Sequence, residues 1–467
     1  MTRRQALAIH HRDGLPMRAA PAAPDAARHR LTVQFVVLVC LLPLFGQTFY
    51  YLVELPVPYL LSKAWPVLVL PLTAYALFGP VVPYKALYAT MLAYLIGISP
   101  ILSMINFGSG LPDALTTTVK IWPFTFYLAL AVLLAWLRPT PALLTRAAVV
   151  LGAATFVAML LLWVLVPARW YDSTGATKLL LFEAERGYRI FMPMFFCLLF
   201  IFYLTRRFCE RRELWTLALV AVCFVLLLVI NKQRVMIGAA WLVVLYALFS
   251  ATRDRWRQFV IAIGLIGLAG MALLLMGPVF ERYFAALGGS VSVRQRSIRT
   301  AIDFLGDDPL RWLVGLGATT RFSTTTLADV FGDKQFYLAD IGWLGIIFEY
   351  GIVGAILVAV VYVAGFAFTR SVVRTVGTPF SAALYDYAVF LLITSLVYSF
   401  VFTTGELATI MALAGYLHQA TGAPVAPSPA PLPALLRRHR PVIHRLGPEP
   451  AHAPAYPQAP RPARFPG

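Results

Sequence analysis

Apolar residues in this chain fall into blocks of about 15 to 25, close to the length that a helix needs to cross a bilayer. This pattern constrains the fold more than any other feature of the sequence. Charged residues make up only 13% of the 467 positions, against roughly a quarter in soluble domains. The sequence therefore predicts an all-α, polytopic membrane protein. It excludes a soluble enzyme, a nucleic-acid-binding domain, a disordered scaffold and a disulfide-stapled secreted module.

The apolar blocks predict about 12 transmembrane helices within a domain that covers residues 31–418. The predicted spans are 31–53, 65–79, 86–107, 121–137, 147–166, 190–204, 214–230, 235–250, 258–278, 341–366, 383–402 and 407–418. The tails 1–30 and 419–467 are rich in Ala, Pro and Arg and are predicted to be disordered, because such a composition buries no core.

The distribution of charge predicts the orientation of the chain. If the N-terminus is cytoplasmic, the inner loops and both tails hold 24 of the 39 basic residues and six of the 21 acids. The remaining positions then hold 15 basic residues and 15 acids, so the whole net charge of +18 lies on one side. By the positive-inside rule both termini are expected in the cytoplasm. The excess of basic residues is explained by the orientation of the chain and by anionic lipid on the cytoplasmic side, so a nucleic-acid partner is not needed to explain it.

One large outer loop, 281–340, carries seven of the remaining 15 basic residues and seven of the remaining 15 acids. Within it, 290–308 is predicted to form an amphipathic helix on the membrane surface, with Val291, Ile298, Ile302 and Leu305 on its apolar face. The opposite face carries Arg296, Arg299 and Asp303. Arg294 and Arg311 flank the same region.

Arg234 lies in a tight outer turn, 231–234, near the membrane interface. Arginine at this depth either snorkels to headgroups or marks a substrate path. Together with Arg294, Arg296 and Arg299 it favours an anionic substrate, because guanidinium stays charged and binds phosphate oxygens through two donors at once. A lipid-linked pyrophosphate fits that requirement.

Histidine is confined to the tails and to the inner end of the last span, at 10, 11, 29, 418, 439, 444 and 452. A metal site or a histidine base on the outer side is therefore not expected. A carboxylate is the expected proton acceptor, and the available ones are Asp303, Asp329, Asp333, Asp340 and Glu349. Among them, Asp340 stands at the outer mouth of a span, where burial would raise its pKa. Asp340 would equally serve as the N-cap of the helix that follows.

These features together resemble the O-antigen ligase and Wzy-type polysaccharide polymerase superfamily. The matching residues are Arg234 in its turn, then an outer loop with Arg296, Pro309 and the pair Gly315 and Gly317. An E-x-G-x-x-G pattern follows, formed by Glu349, Gly351 and Gly354. The resemblance covers roughly residues 214–366. Ligases of the family usually carry His-Asn nine residues before the Glu-x-Gly, whereas this chain has Asp340 and Ile341 there, which favours a polymerase.

The resemblance implies a metal-independent glycosyltransferase of the bacterial inner membrane, without a cofactor, acting on the periplasmic face. It would join polyprenyl-pyrophosphate-linked oligosaccharide repeat units into exopolysaccharide or O-antigen, beside membrane lipid, a flippase and a chain-length regulator. Arg234, Arg296 and Asp340 would be catalytic, and Arg294, Arg299 and Arg311 would bind substrate. Two alternatives stay open: a ligase that transfers finished glycan, and a secondary transporter of anionic solutes that uses Glu349, Asp386 and Glu406.

Overall fold

A computed structural model of the chain describes residues 24–50, 52–79, 82–108, 110–173, 179–183, 187–251, 264, 294–317, 338–398 and 404–421. All of them fall in one compact unit, Met1–Val425, and the second unit, Ala426–Gly467, lies outside the described residues. The predicted disorder of both tails also falls outside them, except at 24–30 and 419–421.

The described residues are predominantly helical. The elements are α1 (Pro24–Phe45), α2 (Pro56–Leu68), α3 (Leu70–Phe78), α4 (Lys85–Phe107), α5 (Leu111–Thr116), α6 (Phe126–Leu137), α7 (Pro141–Leu165), β1 (Leu180–Glu183), β2 (Gly187–Ile190), α8 (Phe195–Arg211), α9 (Leu214–Leu226), α10 (Arg234–Ala251), α11 (294–305), α12 (Pro309–Val314), α13 (Trp343–Val376), α14 (Pro379–Thr394) and α15 (Thr404–Ala420). A π-helical turn, Leu227–Asn231, continues α9.

Seven helices among the described residues are long and apolar enough to cross a membrane, or eight if one bent pair counts as a single span. Eleven of the twelve predicted spans coincide with a helix or a helix pair, and the twelfth, 258–278, lies outside the described residues except at position 264. A polytopic membrane protein is consistent with these helices. The number of twelve spans stays a prediction.

Three of the predicted spans are short helices in the interior of the bundle. Helices α8, α14 and α15 have 17, 16 and 17 residues, and most of their side chains are buried. Because side chains on most sides of these three helices are buried, other helices surround them. Neighbouring helices α6, α7 and α13 cover them.

The connection between the predicted spans 86–107 and 121–137 is helical from Leu111 to Lys120. Helix α5 and a 3₁₀ turn, Thr117–Lys120, run into α6 with a bend of 55° between the two halves. Three consecutive threonines hold the turn, since each donates its hydroxyl to a carbonyl three residues earlier, at 2.5 to 2.7 Å. Such local bonds compete with a regular helix, which explains the bend.

One short hairpin departs from the all-α prediction. Strands β1 and β2 pair antiparallel in the loop between α7 and α8. The amide of Leu179 donates to the Glu54 carboxylate at 2.7 Å, which ties the hairpin to the connection between α1 and α2. We call the end of the bundle that carries this hairpin the hairpin end.

Contacts between helix ends define the opposite end. Gln34 of α1 donates to the carbonyl of Leu137, and Tyr416 of α15 donates to that of Pro139. Arg206 of α8 holds buried Asp386 of α14 through two hydrogen bonds of 2.5 and 2.6 Å. Of the basic residues that the sequence assigns to the inner side, eight that the structure describes lie at or near the helix ends on this side: Lys85, Arg138, Arg146, Arg207, Arg211, Arg212, Arg370 and Arg374. We call it the arginine-rich end.

Candidate functional site

The central feature of the hairpin end is a break inside α13. Gly351 has φ +68° and ψ 179°, a conformation that is essentially restricted to glycine, so the helix is interrupted in the middle of the E-x-G-x-x-G pattern. A break frees backbone carbonyls, which inside a membrane must find other donors. Three carbonyls next to this break, those of Phe348, Glu349 and Tyr350, accept hydrogen bonds from other segments of the chain.

The segment that follows α12 supplies two of these donors. The amide of Leu316 donates to the carbonyl of Phe348 at 2.9 Å, and the amide of Gly317 donates to that of Glu349 at 3.0 Å. The third carbonyl, of Tyr350, accepts from the Tyr94 hydroxyl at 3.1 Å. The two glycine motifs, 34 residues apart in the sequence, thus form one structure. We call it the glycine junction: Gly315, Leu316, Gly317 and Gly351.

Glycine is required in the junction because backbones approach each other closely. A Cβ on Gly315 would overlap the backbone of Glu349, Tyr350 and Gly351, and a Cβ on Gly317 would overlap Ser103 of α4. Both residues also have positive φ, at 83° and 91°. The side-chain amide of Asn106 donates to the Leu316 carbonyl at 3.0 Å, which fixes the junction to the end of α4.

A buried ion pair lies beside the junction. Lys120, at the end of the 3₁₀ turn, pairs with Glu349, whose side chain is only 6% exposed. The carbonyl of Lys120 also accepts from the hydroxyl of Thr404 at 3.3 Å, where α15 begins. Lys120 therefore links the bent segment, the broken helix and α15. Sequence reasoning missed Lys120, and its only signal was an isolated Lys between Thr-rich and apolar residues.

A small second core holds α11 and α12 against α13. Ala301 and Leu305 of α11 pack with Leu316, Ile341 and Phe348. The indole of Trp312 donates to the Gly306 carbonyl at 2.9 Å and locks the turn between the two short helices.

Helix α11 is amphipathic as predicted, but its buried stripe differs from the prediction. Ser297, Ala301 and Leu305 are buried, whereas Ile298 and Ile302 are 37% and 44% exposed. Val291 lies outside the described residues. The buried and exposed stripes are adjacent, and the small Ser and Ala side chains allow the close approach to the second core. The spacing of hydrophobic residues in the sequence does not distinguish small side chains from large ones, so it did not predict which stripe is buried.

The second core brings two of the predicted site residues together. Arg294 begins α11 on its buried side, and Asp340 ends a 3₁₀ turn, Leu338–Asp340, ahead of α13. Burial raises the pKa of Asp340 above its ordinary value, and the positive charge of Arg294 opposes that rise. The Nε atom of Arg294 is buried without a hydrogen-bond partner, and its guanidinium lies 6.0 Å from the Tyr398 ring.

Asp340 does not cap the following helix. The N-cap of α13 is Gly342, without a side-chain hydrogen bond. The capping alternative for Asp340 is therefore wrong, and the partly buried carboxylate beside an arginine has no such structural role.

The other predicted arginines lie elsewhere. Arg296 and Arg299 are on the exposed side of α11. Arg311 is 3.5 Å from the carboxylate of Asp308 and donates to the carbonyl of Phe304 at 3.2 Å. Arg234 is the first residue of α10, which packs on α8 and α14. Their assigned roles stay predictions.

Asn231 and Lys232 anchor the turn that carries Arg234. The buried Asn231 amide donates to the Ile190 carbonyl at 3.3 Å, and the Lys232 ammonium donates to the Tyr188 carbonyl at 2.8 Å. Both acceptors are in β2. The hairpin and the Arg234 turn therefore form one rigid unit.

The acids proposed for transport are paired in the structure. Asp386 pairs with Arg206 at the arginine-rich end, Glu349 with Lys120, and Glu406 accepts from the Tyr387 hydroxyl at 2.9 Å. Across the part of the chain that the structure describes, no three His, Cys, Asp or Glu side chains are grouped as metal ligands.

No protein-family model matches this chain, and no curated protein is significantly similar to it.

Proposed function

We propose that this protein is a polysaccharide polymerase of the bacterial inner membrane. It joins polyprenyl-pyrophosphate-linked oligosaccharides on the periplasmic face, with both termini in the cytoplasm. The observation that carries the proposal is the glycine junction, which joins the two glycine motifs of the family resemblance next to the pair of Arg294 and Asp340. The arginine-rich end faces the cytoplasm in this account, in agreement with the positive-inside rule.

The proposed reaction exchanges one C–O bond for another. A hydroxyl oxygen of the incoming lipid-linked unit attacks the anomeric carbon of the growing chain, and the bond from that carbon to pyrophosphate breaks. Asp340 accepts the hydroxyl proton as the general base. Polyprenyl pyrophosphate leaves with the bonding electron pair, and arginine offsets the charge that develops on it. Arg234, Arg294 and Arg296 are the arginines assigned to this role.

Burial of Asp340 fits this chemistry, because a base is most effective when its pKa approaches the working pH. A carboxylate in water is too weak a base for a sugar hydroxyl. Burial raises the pKa of Asp340 in the useful direction, and the nearby positive charge of Arg294 favours the ionised carboxylate.

The break in α13 is also a feature of secondary transporters, where unwound carbonyls coordinate ions. Here the carbonyls of Phe348, Glu349 and Tyr350 accept hydrogen bonds from the chain itself. At the break, these carbonyls are therefore used to connect segments of the chain to one another. This favours a fixed catalytic site over a path that coordinates ions.

The experiment is a polymerisation assay with purified full-length protein in liposomes. The substrate is the lipid-linked oligosaccharide extracted from the host, and the products are sized on a gel while the released polyprenyl pyrophosphate is measured. We expect a ladder of glycans that persists in EDTA and disappears in Asp340→Asn. A single transfer to another acceptor would identify a ligase, and no release of polyprenyl pyrophosphate would refute a glycosyltransferase.

A further inference from the structure

The hairpin presents a pair of exposed aromatic rings that the proposed reaction does not use. Phe182 and Tyr188 are directly paired across the two strands and therefore lie on the same face. They are 37% and 41% exposed, although both are large and largely apolar. Along the same face the next pair, Leu180 and Ile190, turns inward, and Ile190 is fully buried.

A third ring joins this pair. The Tyr171 ring centroid is 5.1 Å from that of Tyr188, and the Phe182 centroid is 4.9 Å from it. Rings that already contact one another lose little conformational freedom when a ligand covers them. We call this set, Tyr171, Phe182 and Tyr188, the aromatic platform.

The platform is fixed to the bundle. Its two strands are held by the Leu179, Asn231 and Lys232 hydrogen bonds described above, and Asp172 bridges to β1 at 2.9 and 3.1 Å. Because Lys232 lies two residues before Arg234, the platform is built onto the turn that carries the predicted pyrophosphate contact. The hydrogen bonds of Asn231 and Lys232 to β2 therefore determine where the platform lies relative to the Arg234 turn.

Basic and acidic side chains lie beside the platform. Arg189 on the opposite face of β2 pairs with Glu183, and burial, together with the charge of Arg189, lowers the pKa of Lys232. Exposed strands also cannot lie in the hydrocarbon layer, so the platform is at headgroup or aqueous level.

We propose that the aromatic platform binds the sugar rings of the lipid-linked glycan, with its pyrophosphate directed to Arg234. This inference rests on the proposed function. A pyranose has C–H-rich faces that pack on the negative face of an aromatic ring, while its hydroxyls remain in water. The sugar rings thus match the aromatic rings of the platform, and the negatively charged pyrophosphate matches the positively charged Arg234 of the turn.

The test is equilibrium binding by full-length protein in nanodiscs. The probe is a mixture of repeat-unit oligosaccharides, released by mild acid from the surface polysaccharide of the host. We expect Tyr188→Ala to weaken binding about tenfold, the size of one lost stacking contact, and Tyr188→Phe to keep it because the ring remains. Phe182→Leu, which keeps apolar bulk and so preserves the fold, is also expected to weaken binding.

Trp136→Ala is the matched control, because Trp136 is an exposed aromatic residue at the arginine-rich end of α6. It is expected to bind the probe like the wild type. Wild-type affinity in both Tyr188→Ala and Phe182→Leu would overturn the platform, as would failure of the wild type to bind the probe. Equal losses in Trp136→Ala would also overturn it, since the rings would then act only at the lipid interface.

The two proposals fail separately. Ring-dependent binding in a protein that does not polymerise glycan would reject the polymerase and keep the platform. Polymerisation that is indifferent to the rings would reject the platform and keep the polymerase.

Discussion

At the scale of single residues, the pair of Arg294 and Asp340 carries the chemical part of the account. Sequence reasoning selected both residues, but it assigned the main role to Arg296. The structure brings Arg294 to Asp340, because Arg294 lies on the buried stripe of α11 and Arg296 lies on the exposed side. Two residues that are two positions apart on a helix point to different faces. Which face of α11 is buried depends on its packing against α13, which the sequence alone does not specify.

The pH dependence of activity tests this pair. Asp340 must be ionised to act as a base, and its pKa lies above the ordinary value, so activity falls as the pH drops through that raised pKa. Arg294→Gln removes a positive charge that lowers this pKa. The acid limb of kcat/KM is therefore expected to move to higher pH, and Arg294→Lys, which keeps the charge, is expected to leave it in place. An unmoved limb in Arg294→Gln would show that Asp340 is not the titrating base.

The buried pair of Lys120 and Glu349 gives a second test at this scale. Either Lys120→Met or Glu349→Gln leaves one uncompensated charge, and the free energy of unfolding is expected to fall by about 3 to 5 kcal/mol. The double variant removes both charges, so most of that loss is expected to be recovered. Unfolding in mixed micelles measures the free energy of unfolding of the two single variants and of the double variant. Losses that simply add in the double variant would contradict a direct pair.

Asp386 offers the matched control for activity. Asp386→Asn breaks a similarly buried pair with Arg206, but at the arginine-rich end. Both Glu349→Gln and Asp386→Asn are expected to lower stability, whereas only Glu349→Gln is expected to lower activity per folded molecule. Equal activities would mean that the ion pair beside the glycine junction has no positioning role.

At the scale of elements, the sequence predicted most helices and missed their interruptions. The Glu349, Gly351 and Gly354 pattern was visible, yet nothing in it specifies a broken helix, because glycine also occurs in unbroken membrane helices. The break follows from the amides of Leu316 and Gly317, which reach α13 from a distant segment. The hairpin was missed for a related reason, since β1 and β2 are only four residues each.

Glycine substitutions test the junction. Gly351→Ala places a Cβ against the carbonyl of Leu313 and forces a conformation that only glycine adopts easily, so both folded yield and activity are expected to be lost. Gly377→Ala is the control: it also has positive φ, at +64°, but no atom lies within 4 Å of the added Cβ. Its expected cost is about 1 to 2 kcal/mol without loss of activity. Similar behaviour of both variants in a stability and activity assay would refute close packing as the reason for Gly351.

At the scale of the whole molecule, charge and apolar length determine the architecture more strongly than any motif does. Eleven predicted spans coincide with helices, and the predicted inner basic residues within the described ranges lie at one end of the bundle. What the sequence did not show is how α8, α14 and α15 fill the centre of the bundle. Most of their side chains are buried against other helices, and which helix each side chain contacts depends on packing that the sequence does not specify.

The measurement that tests the central claim most directly is to delete the gene in its host and size the glycans released from polyprenyl lipid. The account predicts that single repeat units accumulate, that polymer is absent, and that the wild-type gene restores it while the Asp340→Asn gene does not. Long lipid-linked chains that never reach their acceptor would contradict a polymerase in favour of a ligase. An unchanged glycan profile would contradict any role in glycan assembly.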